Sequence, residues 1–185
     1  MIRQPTFRRF AAAAAIVCAI AAPGGAQPAL EYDVKAALLL NFARFIEWPD
    51  AAFDSPQAPI DVCVFAPSPF GQSLERALSG ETVANRSLSA RQVHGVSDGA
   101  GCHLLFVPAG AESRAGAFFR DAGPYTVTVG ESPHFEDVDG AVTLIIEGGR
   151  LRFNVNLRPV EQRGIRISAR MLQLASHVER ATPEK

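Results

Sequence analysis

The stretch Ile60-Asp-Val-Cys-Val-Phe-Ala-Pro-Ser-Pro-Phe-Gly-Gln-Ser-Leu-Glu-Arg-Ala-Leu-Ser-Gly80 decides the fold. Its first six residues, Ile60 to Phe65, are a short apolar run bounded by a turn, the signature of a buried strand. Ala66-Pro-Ser-Pro69 turns the chain, and Phe70 to Leu78 reads as a helix closed near Gly80. Strand, turn and helix in that order begin a right-handed crossover, and crossovers build parallel sheets.

The alternation continues downstream. Ser87 to Val93 reads as a second strand, His103 to Val107 as a third, Glu112 to Arg120 as a helix, and Tyr125 to Val129 as a fourth strand. Ala141 to Glu147 and Arg150 to Asn156 then stand either side of Gly148-Gly149, a hairpin signal because glycine tolerates the positive dihedrals of a tight turn. Upstream, Val34, Leu38, Phe42 and Phe45 recur at helical spacing within Glu31 to Glu47, until Trp48-Pro49 stops the helix. Near the C-terminus Ser168 is a candidate N-cap, and Met171, Leu174, Ala175 and Val178 are expected to line one helix face. The chain therefore reads as one compact α/β domain. Its sheet is mixed but mainly parallel, flanked by helices in Rossmann-like layers, with an antiparallel hairpin towards the C-terminus.

The 185-residue length suits a single domain, and 48% apolar with 20% charged residues excludes a disordered chain. Arg3, Arg8 and Arg9 precede a thirteen-residue apolar run, Phe10 to Ala22, too short to span a bilayer comfortably. That layout predicts a secretory signal peptide over residues 1–26, cleaved near Ala26, ahead of a domain over residues 27–182. A short membrane anchor is the alternative, and the Arg8-Arg9 pair leaves Sec and twin-arginine export both open. Val17 before Cys18 argues against a lipoprotein signal. The leader carries three arginines and no acid in a chain of 18 Lys+Arg and 19 Asp+Glu, so the processed protein has a net charge of about −4. A mildly acidic chain with dispersed charge lacks the footprint of a nucleic-acid binder.

Cys63 and Cys102 remain after cleavage. In an oxidising compartment they are expected to pair, closing a loop of roughly 40 residues worth roughly 4 kcal/mol; two buried thiols are the alternative. No two of His94, His103, His134 and His177 stand at metal-ligand spacing, no serine sits in a nucleophile elbow, and Glu136, Asp137 and Asp139 read as loop charge. Neither a metal, a cofactor nor catalysis is expected. The loop Pro67, Ser68, Pro69, Phe70 and Gly71, between strand and helix, is a candidate ligand crevice, because open α/β sheets collect ligands there. An ordinary turn is its plainer reading. Ile165, Ile167, Met171, Leu172 and Leu174 carry more apolar surface than one helix stripe needs and are a candidate partner-binding patch; burial in the core is the alternative.

Asn41-Phe-Ala-Arg-Phe-Ile-Glu-Trp-Pro49, Pro69-Phe-Gly71, Cys102-His-Leu-Leu-Phe106, Arg152-Phe-Asn-Val-Asn156 and Gly164-Ile-Arg-Ile-Ser-Ala-Arg-Met-Leu-Gln-Leu-Ala175 follow one another in an order that resembles the YfiR family of periplasmic proteins. The resemblance runs from about Glu31 to Arg180. It implies a non-enzymatic regulator that represses the periplasmic sensory domain of an inner-membrane diguanylate cyclase. Cyclic-di-GMP output and biofilm formation would then rise on its removal. A histidine kinase is the alternative partner, with the chain then acting as a small-molecule sensor. An OmpA-like outer-membrane lipoprotein would sequester it, and a homodimer is a further possibility. The family pattern includes cysteines at the positions of Cys63 and Cys102, while a second bridge of its best-studied branch has no counterpart here. Asn154 stands where the family usually has glutamate, so any contact made by that acid is lost.

Overall fold

The computed structural model describes residues 26–95, 98–121, 123–133, 135–138 and 140–180. The expected leader falls outside them except for Ala26, as do His134 and Asp139. In chain order the elements are α1 (Ala26–Phe45), β1 (Ile46–Glu47), β2 (Ile60–Phe65), α2 (Ser73–Leu78), β3 (Thr82–Val83), β4 (Arg86–Val93), β5 (Leu104–Val107), α3 (Glu112–Asp121), β6 (Val127–Gly130), β7 (Val142–Glu147), β8 (Arg150–Asn156), α4 (Arg158–Glu161), β9 (Arg166–Ile167), α5 (Ala169–Leu174) and β10 (His177–Glu179). The main sheet has eight strands in the order β10-β8-β7-β6-β5-β2-β4-β3. Strands β4, β2, β5, β6 and β7 run parallel, and β7 and β8 form the antiparallel hairpin expected around Gly148-Gly149. This is the single α/β domain with a mixed, mostly parallel sheet anticipated from the sequence.

β2 shows why its sequence is a nearly unbroken apolar run. Ile60, Val62 and Val64 join a core under α1 and α2, while Cys63 and Phe65 join a second core under α3. A strand covered on both faces has no solvent side to mark with polar residues. Asp61 is the exception and is offset by partners: the Ser89 hydroxyl hydrogen-bonds it and Arg91 lies 3.8 Å away.

On the first face α1 buries Ala36, Leu39, Leu40, Phe42, Ala43 and Ile46. The Phe42 ring meets Phe153 of β8 edge-on, with centroids 5.0 Å apart. On the opposite face Ala111, Ala115 and Phe135 cover Leu105 and Val107. The Phe135 ring lies against the backbone of Gly130 and Gly140, where an added Cβ would stand 2.2 Å and 2.3 Å from its carbons. Only glycine permits that approach.

A two-stranded sheet apart from the main one joins α1 to the C-terminal segment. Ile46 pairs with Ile167, Glu47 with Arg166, and the Ser168 amide donates to Phe45 O at 2.9 Å.

The structure corrects four details of the sequence reading. The first helix ends at Phe45, not at Trp48-Pro49, because Ile46 and Glu47 leave it to pair with β9. α2 starts at Ser73, not Phe70, because Gly71 at φ +54° interrupts the helix. A short hairpin precedes β4, turning through Ala84 and Asn85 at φ 50° and 63°; alanine seldom accepts such dihedrals, so the turn carried little signal. The expected C-terminal helix stripe breaks after Leu174. Ala175 is extended at ψ 142°, and Val178 lies instead in β10, beside Val155 of β8. The open backbone edge of β8 takes up that segment as a parallel strand, a tertiary demand that helical spacing cannot reveal.

Candidate functional site

The first expected site follows β2. The chain turns through a cis Ala66–Pro67 bond, and the Ser68 amide donates to Gln92 Oε1 at 3.0 Å. Ser68 and Gly71 line a cavity of about 290 Å³ with Leu74, Glu75, Arg91 and Gln92. Phe70 does not face it. Its ring is buried edge-on between Tyr32 and Phe106, at 5.3 and 4.8 Å. Pro67 is exposed and Pro69 half-buried. The first turn of α2 is already engaged by Asp33 of α1, which accepts hydrogen bonds from the Ser73 hydroxyl and from Arg76 at 3.3 Å.

The second expected site divides. Ile165, Ile167 and Met171 are core residues, Met171 only 1% exposed. Their burial follows from β9 pairing with β1 and from the Ser168 cap, whose Oγ accepts from the Met171 amide at 3.4 Å. Leu172 is half-buried, and Leu174 is 62% exposed. Leu172 and Leu174 are the two of the five that reach the surface most. Leu172 edges a groove of about 310 Å³ whose floor includes Ile165 and Ile167, with Leu157, Glu161, Arg166 and Arg180 around it.

Cys63 and Cys102 are joined by a disulfide, with Cα atoms 5.8 Å apart and a sequence separation of 39. Cys63 lies within β2, and Cys102 sits two residues before β5, so the bond ties two neighbouring central strands. His103 beside it is buried. Its Nδ1 accepts the Asp61 amide at 3.1 Å, and its Nε2 donates to Ala52 O at 3.1 Å. The ring stacks on Phe53 at 4.5 Å. Desolvation is the main cause that pushes its pKa below the usual histidine value.

A third site escaped the sequence reading. Glu131 follows β6 at the carboxyl end of the parallel strands. Its Oε1 accepts the Tyr32 hydroxyl and the Ala109 amide, each at 3.0 Å, and its Oε2 takes the Lys35 ammonium. Lys35 also lies 2.5 Å from Glu31 Oε1, and its side chain is only 5% exposed. Burial alone would lower the Lys35 pKa, but the hydrogen bonds to Glu131 and Glu31 outweigh it and the net direction is upward. Burial and then Glu131 push the Tyr32 phenol up to about 12, so it stays a neutral donor. These groups open on a cavity of about 580 Å³ walled by Ala109, Pro133, Leu144, Ile145, Ile146 and Leu151. The Glu31–Lys35 spacing on one helix face was readable; its convergence with Glu131 is a product of the fold.

Among the described residues no three His, Cys, Asp or Glu side chains gather where they could hold a metal, and no helix is long and apolar enough to cross a membrane.

A family model described as YfiR/HmsC-like matches residues 32–176. No curated protein matches the chain. Among solved structures, a conserved domain protein from Vibrio cholerae O1 biovar El Tor superposes with a TM-score of 0.52 at 10% identity, over 80% of this chain. The chain spans 60% of the length of that protein, and the likeness is one of fold. An ABC domain from Streptococcus pneumonia, solved with L-Trp, gives a TM-score of 0.45 at 11% identity, covering 64% of this chain and 55% of its own.

Proposed function

Because the chain belongs to the YfiR/HmsC-like family, we propose that it binds the periplasmic sensory domain of an inner-membrane diguanylate cyclase and holds that enzyme inactive. The family consists of non-catalytic, periplasmic regulators of cyclic-di-GMP signalling. The observation that carries the reading is the extent of the family match, from α1 through α5 with the disulfide-linked strands between them.

On this reading the chain is exported by its residues 1–26 and released as the domain of residues 27–182. Leu172 and Leu174 on α5 give the apolar contact. An OmpA-like outer-membrane lipoprotein competes for the protein and frees the cyclase.

Co-purification from detergent-solubilised membranes tests the proposal. The tagged full chain should recover a diguanylate cyclase. Leu172→Glu should lose that recovery while keeping its circular dichroism and melting profile, because the side chain is only half-buried. Met171→Glu, by contrast, should not fold. Absence of any membrane signalling protein from the wild-type eluate would refute the reading. Recovery of a histidine kinase in place of a cyclase would redirect it to the sensor role, for which the cavity beside Lys35 offers a ligand site.

A further inference from the structure

The Lys35–Glu131 pair has an obvious structural role, since it fastens α1 to the carboxyl end of the sheet. That role explains neither the third charge, Glu31, nor the volume beside it. Glu131 is buried and engaged, with two donors on Oε1 and the ammonium on Oε2, and its side chain is only 8% exposed. Glu31 touches the same ammonium with one oxygen, and its side chain is 47% exposed, so it keeps acceptor capacity on the cavity side.

Charge then selects the ligand. Two carboxylates face one ammonium across the wall, which leaves an excess negative charge. Tyr32 adds no cation, and its hydroxyl is already given to Glu131. An anion entering here would find Lys35 neutralised twice over and would meet Glu31. A cation would find an open carboxylate in a partly desolvated setting, where a charge-assisted hydrogen bond is strong. The remaining wall is apolar, from Ala109, Pro133, Leu144, Ile145, Ile146 and Leu151, and Ile146 is 63% exposed. The volume of about 580 Å³ lies within the range of small-molecule pockets, and the position matches the end of parallel strands where open α/β sheets bind ligands.

We propose that this cavity binds a small amphipathic amine, its ammonium on the Glu31 carboxylate and its apolar body against Leu144, Ile146 and Leu151. Occupation of the cavity is a property of the isolated protein and does not depend on which membrane partner the protein serves.

Isothermal titration of the full chain with three compounds of matched shape tests this. The probes are 2-cyclohexylethylamine, the neutral 2-cyclohexylethanol and the anionic 3-cyclohexylpropanoate. The amine should bind saturably and about tenfold or more tighter than the alcohol, the worth of one charge-assisted contact. The carboxylate should not bind. Glu31→Gln should remove the preference for amine over alcohol in a protein that stays folded, since the Lys35–Glu131 pair remains in place. Ile146→Ser should weaken amine and alcohol together. Equal binding of amine and carboxylate, a preference that survives Glu31→Gln, or no amine binding up to about 10 mM, the weak end of the affinity scale, would each overturn the proposal.

Discussion

Lys35 reaches Glu131 across 96 positions of sequence, and both side chains are more than nine-tenths buried. Removing one member of such a pair leaves the other charged and uncompensated. Lys35→Met is therefore expected to cost about 3 kcal/mol in urea unfolding. The double change Lys35→Met with Glu131→Gln should recover most of that loss, because the side-chain amide put in place of the carboxylate can still accept from Tyr32 and Ala109 without carrying charge. A double mutant as unstable as the single one would show that packing, not charge, dominates. His103 makes a second single-residue prediction. Its folded pKa lies below the unfolded value near 6.5, so the fold favours the neutral ring. The stability this contributes is complete above that value and is lost as pH falls below it towards the folded pKa. Protonation would also turn Nδ1 from an acceptor into a donor facing the Asp61 amide. The urea midpoint should fall between about pH 7 and about pH 5, with a shallower slope in His103→Gln. Equal slopes would assign the pH dependence to other groups.

At the scale of elements, the disulfide joins strand β2 to the start of strand β5, the two neighbours at the centre of the sheet. Both cysteines belong to the core under α3. Opening a loop of 39 positions should remove about 4 kcal/mol on the chain-entropy account. Cys63→Ser with Cys102→Ser is thus expected to melt well below the parent, and an unchanged melting temperature would deny the bridge a stabilising role. Elements whose signals were local were legible in advance. β2 and β7 carry apolar runs closed by turn residues, β8 alternates polar and apolar residues after Gly148-Gly149, and the Ser168 cap is a local hydrogen bond. The C-terminal stripe misled because Met171 and Leu174 do sit on a helix, while Val178, at the next helical interval, answers to β8 instead. The short strands β1 and β9 were illegible for a related reason: two residues hold no periodicity, and their pairing joins positions over a hundred residues apart.

Across the whole molecule, α1 links three features that the sequence presents separately. Its first half carries Glu31, Tyr32 and Lys35 to the cavity, its middle buries Leu39 and Phe42, and its end passes through β1 to the α5 segment. The cavity was not legible because its wall comes from α1, the ends of β5 and β6, and the β7–β8 hairpin, none of which shows a binding fingerprint alone. Among the candidate partner residues, apolar content marks Ile165, Ile167, Met171, Leu172 and Leu174 alike, and burial alone separates them.

The parallel seat of β10 has one more consequence. The segment from Ser176 to Glu179 covers the main-chain edge of β8 from Phe153 onward: the Ser176 amide, just before β10, donates to Phe153 O, and the Leu157 amide, just after β8, donates to Glu179 O, both at 2.9 Å. A chain ended after Ala175 would present β8 as a bare template with free donors and acceptors, ready to recruit the same strand from another copy. Such a truncation should elute from gel filtration as dimers or larger species, and adding a synthetic peptide of residues 176–185 should return it to the size of the intact protein.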